Sequence, residues 1–434
     1  VLPQEESIMK TTATIEAMIP KGVKDFLPLN SVKIEHLKSC LHDVFKQWGF
    51  QPITPPSLEF LDVLEQGLGN DLKECTLRFD DRQSGKLLAF PPDITPQVAR
   101  IFATRLKEAP LPQRLCYSCR VLRHTEEQAG KDREVFQSGV ELIGHNGPQA
   151  DAEMIAMALE CFDRLATPQY TIDIGQVEFY RGALNALNLT PQDLCAVQQD
   201  ILRKDSSSLK QHLETLKISD GQKDEILALP RLFGNRSVLD QAATVVTNDR
   251  SKRALDDLHS VLKTLEIYGV DQHITVDLGE LRGLDYYTGI TFQGFLSGYG
   301  QAVCLGGRYD NLTAGYGLQA PATGFAFNLL NLLFSMSDEL SQTIQPATEI
   351  LIHCCDNETG QAHSVARQLR AQGRSVCIDI PRTLEQAQTY AKKMNFTYLM
   401  TVTATSDQIE VKTLSDGQNT TISMAELTSG QIKL

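Results

Sequence analysis

The chain has 434 residues, 42% of them hydrophobic and 22% charged, a composition of folded domains and too long for one ordinary core. A formal net charge of −13 excludes the positive field that broad, non-specific nucleic-acid binding requires. No apolar run approaches the ~20 residues of a membrane span, and the first twenty residues lack a signal peptide's basic end and apolar centre. A cytoplasmic location away from membranes is expected.

The ten cysteines are scattered, as free thiols in a reducing compartment would be. Cys116 and Cys119 form one CxxC, but no second ligand pair accompanies it and four ligands are wanted. The run alternates like a strand, so two packed thiols are expected and no metal.

Residues 1–20 receive no fold role. Gly22 to Pro28 reads as an extended entry, and Ile34, Leu37, Leu41, Val44 and Phe45 follow at helical spacings. Phe50 to Ile53 reads as a short strand. Phe79 to Phe90 reads as a hairpin with Ser84-Gly85 in its turn. Pro96 opens a helix carrying Val98, Ile101 and Leu106, since proline is tolerated in a first turn.

Strand, loop and strand recur from Arg114 to Ile143, and a helix spans about 150–165. Residues 190–265 turn polar with Leu at helical spacings, which predicts a helical insertion. Strands resume at 274–278 and 291–295, and Gly306-Gly307 reads as a turn. Ser337 to Thr348 reads as a linker. Beyond it strand and helix alternate, predicting a small α/β domain over 348–434. The main body is then 21–336.

Three segments can carry chemistry. In Pro91-Pro92-Asp93-Ile94-Thr95-Pro96 a carboxylate and a hydroxyl two apart can point together at an ammonium group. The plain alternative is a helix cap, for which Asp and Thr are ordinary. In Val135 to Glu141, Gln137 and Glu141 share one face of a strand. Glu141 lies among apolar residues, where an inward carboxylate needs a partner; a solvated edge strand is the alternative. In Glu280 to Gly289, Arg282, Asp285, Tyr286 and Tyr287 crowd beside glycines. An arginine can hold a carboxylate in a fork, and a tyrosine hydroxyl can bond a ring nitrogen.

Together with RVLRH at 120–124 and GGRYDNL at 306–312, these segments resemble histidyl-tRNA synthetase over about residues 22–333. The tail more weakly resembles that family's anticodon-binding domain. The resemblance implies an α+β fold: a class II synthetase-like antiparallel sheet flanked by helices, in a protein that dimerises. It implies that Asp93 and Thr95 hold the α-amino group of histidine. Gln137, Glu141, Tyr286 and Tyr287 match the amino-acid and imidazole positions. Arg282 matches the arginine near the substrate carboxylate and α-phosphate, and Arg123 the second motif's arginine.

The nucleotide side departs from the family. Its third motif resembles Gly-Phe-Ala-x-Gly-x-Glu-Arg. Here Gly324-Phe325-Ala326-Phe327 is followed by Asn328, Leu329, Leu330 and Asn331. Thr125 replaces the glutamate after Arg123-His124. Losing groups that stabilise transferring phosphoryl charge normally costs orders of magnitude in rate.

A complete histidine pocket beside a neutralised ATP site is similar to a paralogous family, the regulatory subunits of ATP phosphoribosyltransferase. EVFQSGVELIG, YYTGITF and APATGF are similar to that family too. The resemblance implies no catalysis and no cofactor. It implies a homodimeric core, association with a short catalytic subunit at the first step of histidine biosynthesis, and L-histidine as effector, with tRNA not a ligand. An active histidyl-tRNA synthetase is the alternative, and a stand-alone amino-acid ligase a third reading; both need the nucleotide activation that Asn331 disfavours.

Overall fold

The computed structural model describes residues 19–124, 132–167, 169–185, 187, 189–280, 287–336, 344, 348–355, 360–403 and 407–429. Among the anticipated site residues, Arg282 and Tyr286 lie outside these, as do Thr125, residues 1–18 and most of the expected linker. The chain falls into two compact units, divided between Ile344 and Gln345.

The first unit is built on a nine-stranded sheet. In chain order its strands are β1 (Gln51–Pro52), β5 (Gln113–Leu122), β6 (Glu134–Ile143), β7 (Tyr170–Gln176), β8 (Phe233–Gly234), β9 (Ile274–Asp277), β10 (Ile290–Leu296), β11 (Cys304–Arg308) and β12 (Ala322–Asn328). Strands β2 (Glu59–Phe60), β3 (Arg78–Asp80) and β4 (Leu87–Ala89) form a separate three-stranded sheet. The large sheet runs β1-β5-β6-β12-β11-β10-β7-β9-β8. Its six central strands are antiparallel, but β1 joins β5 and β9 joins β7 in parallel. The sheet is therefore mixed at its margins.

Two faces follow from the strand period of two. On one face, Phe136, Val140, Leu142, Phe325 and Phe327 enter the main core with the helices Pro28–Gln47 and Pro148–Arg164. The first of those helices buries Ile34, Leu37, Leu41, Val44 and Phe45, the stripe its sequence spacing defines. Each such side chain contributes roughly 1.5–3 kcal/mol of burial. On the other face, Leu115, Tyr117, Ile143 and Tyr309 meet Ile94, Val98 and Phe102 from the helix Thr95–Arg105.

The 79–90 hairpin forms. Strands β3 and β4 pair antiparallel, Gly85 has φ +69°, and Asp81 accepts from the amides of Gln83 and Ser84. Gly306-Gly307 is not a turn: both glycines lie inside β11. Their glycine character answers a packing need, because a side chain at 306 would run into Phe292 and Phe325. Between β7 and β9 the chain forms helices at Val177–Asn185, Pro191–Leu202, Ser206–Thr215, Asp220–Ala228, Val238–Val245 and Asp249–Tyr268. Phe233-Gly234, read with the helical stretch, instead pairs with β9 at the sheet edge.

The CxxC pair splits by the same alternation. Cys116 is buried in the helix-side core, while Cys119 packs with the opposite cluster. Two thiols on opposite faces cannot chelate one ion, and no metal-binding cluster is found among the described residues.

The second unit has five strands: β13 (Ile350–Cys354), β14 (Val376–Ile378), β15 (Tyr398–Val402), β16 (Gln408–Thr413) and β17 (Asn419–Ser423). Their order is β14-β13-β15-β16-β17, the first three parallel and the rest antiparallel. Helices Gly360–Ala371 and Leu384–Lys393 make the crossovers, the latter opened by a Thr383–Gln386 capping box. No described helix is long and apolar enough to cross a membrane.

Candidate functional site

A cavity of about 270 Å³ opens on the face of the large sheet away from the helix Pro148–Arg164. Its floor is made by small residues. Gly139 of β6 pairs with Ala326 of β12, and Glu141 pairs with Gly324. A side chain at 324 would overlap the Glu141 carboxylate, so that glycine gives the carboxylate its place. The volume lies just below the ~300–1,000 Å³ of clefts for drug-sized ligands and suits something smaller.

The walls gather residues distant in sequence. Asp93, Thr95, Arg123, Gln137, Glu141 and Tyr287 all line the cavity. Interior strand β6 carries Gln137 and Glu141, both buried, so this is not a solvated edge. Asp93 stands on the turn before the helix Thr95–Arg105, and Thr95 is the first residue of that helix. That helix has no side-chain cap bond. Thr95 Oγ1 instead donates to Glu141 Oε1 at 2.7 Å, and the Ile94 amide donates to Asp93 Oδ1 at 2.7 Å and to Gln137 Oε1 at 3.3 Å. The plain capping reading of Asp93 and Thr95 is thereby replaced. Arg123 Nε donates to the Pro92 carbonyl at 2.7 Å, tying the second motif to the same turn.

Glu141 is the electrostatic centre. It is 1% exposed and accepts hydroxyl bonds from Thr95, from Tyr117 at 3.2 Å and from Tyr309. Burial pushes its carboxyl up to about 8, with nearby Asp93 adding to the rise and the three hydroxyls opposing it. Burial, with Asp93 and Glu141 beyond it, also raises the Tyr287 phenol. A buried carboxylate of this kind takes a proton or a cation. With Asp93 beside it, the site suits a small ligand bearing a positive group.

Tyr117 and Tyr309 were not singled out in the sequence. Tyr117 belongs to β5 opposite Gly139, and Tyr309 follows β11. Both contacts to Glu141 cross strands, which local periodicity does not show. The available signal was a tyrosine inside the CxxC run, RLCYSCRVL at 114–122, and another in GGRYDNL.

At Asn328 and Asn331 the lining of the cavity is uncharged. Asn328 caps the helix Leu329–Ser335, its Oδ1 accepting the amides of Leu330 and Asn331. Asn331 Nδ2 donates to the Ala302 carbonyl at 2.8 Å, and its Oδ1 accepts from Tyr299 at 3.2 Å. Leu330 is 2% exposed and belongs to the core. Positions that would face a triphosphate with charge are thus committed to capping, bridging and packing. Arg123 is the only arginine lining the cavity among the described residues.

The family model for histidyl-tRNA synthetase matches residues 22–332. An ATP phosphoribosyltransferase regulatory subunit from Syntrophotalea carbinolica is 56% identical over 420 residues, covering 96% of this chain and 98% of the relative. One from Geobacter sulfurreducens is 49% identical, covering 98% of each. A solved Bacillus halodurans structure, described as an ATP phosphoribosyltransferase regulatory subunit/histidyl-tRNA synthetase, matches with TM-score 0.77 at 26% identity, covering 90% of this chain and 99% of that one. Histidyl-tRNA synthetase from a Nostoc species matches in fold with TM-score 0.80 at 24% identity, over 95% and 98% of the chains.

Proposed function

Because this chain belongs to the family of ATP phosphoribosyltransferase regulatory subunits, on the histidyl-tRNA synthetase fold, we propose that its cavity is the histidine sensor of that enzyme. The chain is a regulatory, non-catalytic subunit and partners the phosphoribosyltransferase catalytic subunit. The rest of this reading goes further. A homodimeric core over residues 21–336 joins short-form catalytic chains in a hetero-oligomer, is needed for their activity, and conveys feedback by L-histidine. Residues 348–434 form a separate module, and every described residue that lines the cavity belongs to the first unit.

In this reading Asp93, supported by Thr95, takes the α-ammonium group. Glu141, Gln137 and Tyr287, joined by Tyr286, face the imidazole, while Arg123 and Arg282 serve the carboxylate end. The observation that carries it is the Glu141 carboxylate, buried in a small cavity and aimed by three hydroxyls. Building such a group without a ligand would only cost stability. Titration calorimetry tests it: one histidine per chain for the wild type, and strongly weakened heat for Glu141→Ala. Absence of heat at millimolar histidine rejects the sensor. The synthetase alternative is disfavoured by Asn331, which holds Ala302 and Tyr299 and brings no charge to a nucleotide.

A further inference from the structure

Behind the cavity, on the helix face of the sheet, lies a buried ionic cluster. Arg308, the last residue of β11, is 6% exposed. Its Nε donates to Asp151 Oδ2 at 2.9 Å, its Nη1 to Asp310 Oδ1 at 3.1 Å and its Nη2 to the Gly147 carbonyl at 3.1 Å. Asp151, 4% exposed, stands in the first turn of the helix Pro148–Arg164, where the helix dipole favours a carboxylate. Asp310 Oδ1 also accepts the Ala322 amide at 3.1 Å. A guanidinium satisfied in three directions inside the protein holds one geometry.

The residues beside Arg308 point the other way. Tyr309 sends its hydroxyl to Glu141. At Gly307 an added Cβ would stand 2.8 Å from the Tyr287 ring, so that ring lies directly on the strand. The Arg308 carbonyl accepts the Thr288 amide at 2.7 Å, and Thr288 Oγ1 accepts the Asp310 amide at 2.8 Å. A Cβ on Gly289 would come 3.0 Å from Arg308 Cδ. The segment 287–289 is therefore seated on the arginine itself.

We infer that Arg308 is a positioning residue of the ligand cavity: from the opposite face of the sheet, its cluster with Asp151 and Asp310 fixes both the Tyr309 hydroxyl on Glu141 and the ring of Tyr287. The inference rests on the reading of the cavity as a histidine site. It touches no ligand atom and acts only through the two tyrosines.

Three substitutions test it: Arg308→Lys, Asp151→Asn and Thr288→Val. The last keeps every charge and removes only the hydroxyl that receives the Asp310 amide, so it stays folded where the charge variants fail. Arg250→Lys, which disturbs the unrelated ion pair with Glu178, is the stability control. Histidine affinity is measured by calorimetry from pH 6 to 9 beside thermal melts. The three variants are expected to bind about five- to fiftyfold more weakly, and the control within about twofold of wild type. A general loss of stability would not move the pH profile. Loss of the Tyr309 hydroxyl does, because that bond lowers the Glu141 carboxyl's affinity for its proton. The midpoint therefore rises, by about half a pH unit or more in Arg308→Lys and Asp151→Asn. Folded variants with wild-type affinity and midpoint overturn the inference and leave the histidine reading intact. A wild type that gives no heat overturns the histidine reading, and this inference with it.

Discussion

Gly324 stands opposite Glu141 across the β6–β12 ladder, and the carboxylate fills the space that a side chain at 324 would need. The buried acid and the glycine are one device, built from two segments far apart in the chain. Gly324→Ala forces either the carboxylate or the β6 backbone at Val140 to shift. Overpacking of this kind costs about 1–3 kcal/mol. A lower melting temperature and loss of histidine heat are expected. Wild-type affinity in Gly324→Ala would show that Glu141 needs no such space.

The proton on Glu141 makes stability depend on pH. Its carboxyl in the folded chain sits at about 8, above the ordinary 4.5, because burial disfavours the charge. The folded state therefore holds the proton more tightly than the unfolded state. That contribution is complete below about pH 4.5 and is lost as pH rises through about 8. Its size is on the order of a few kcal/mol. Urea unfolding at pH 5 and pH 8.5 should show a larger fall for the wild type than for Glu141→Gln. Equal falls in the two proteins would contradict the assignment.

Ligand binding reports the same proton. A positive ligand group beside Glu141 favours the ionised carboxylate, so histidine bound with a neutral imidazole beside its ammonium group should release a proton at pH 7, whereas an imidazole that takes the Glu141 proton releases none. Calorimetric enthalpies measured in phosphate and in Tris should then differ by the buffers' ionisation enthalpies. Buffer-independent enthalpy for the wild type would mean that the Glu141 proton stays in the site, on the carboxyl or on the imidazole, or that Glu141 is not part of it.

The nucleotide side predicts silence. Histidine-dependent ATP–pyrophosphate exchange should stay far below the roughly 1–1,000 per second of working enzymes. Asn331→Arg should not create exchange, because Asn331 is engaged with Ala302 and Tyr299. Leu330→Glu should destabilise by about 3 kcal/mol, placing a carboxylate in the core. Exchange at an enzymic rate from the wild type would restore the synthetase reading.

Much of this arrangement was legible in local pattern. The period of two put Gln137 and Glu141 on one face, and the structure brings both to the cavity with Asp93, Thr95, Arg123 and Tyr287. The stripe Ile34, Leu37, Leu41, Val44 and Phe45 gave a helix because its spacing leaves one dry face. Contacts made across strands were not legible. Tyr117 and Tyr309 reach Glu141 only once β5, β6, β12 and β11 are aligned, and register is a property of the whole sheet. Gly306 and Gly307 looked like a turn because glycine signals both freedom and closeness; here closeness to Phe292, Phe325 and Tyr287 decides. Parallel pairing at the margins was missed because β1 is only two residues long and β9 four.

The central claim is that histidine acts on the phosphoribosyltransferase through this cavity. The direct measurement is phosphoribosyl transfer by the reconstituted complex of this chain with its catalytic subunit, titrated with histidine, for the wild type and for Glu141→Gln. Glutamine keeps the shape and removes the charge that a positive ligand group would meet. A coupling of about 1–3 kcal/mol corresponds to a 5–150-fold change in affinity. The account predicts full activity in both complexes without histidine, and a histidine inhibition curve displaced to at least about tenfold higher concentration in Glu141→Gln. Superimposable inhibition curves from two equally active complexes would contradict it, placing the sensor outside this cavity.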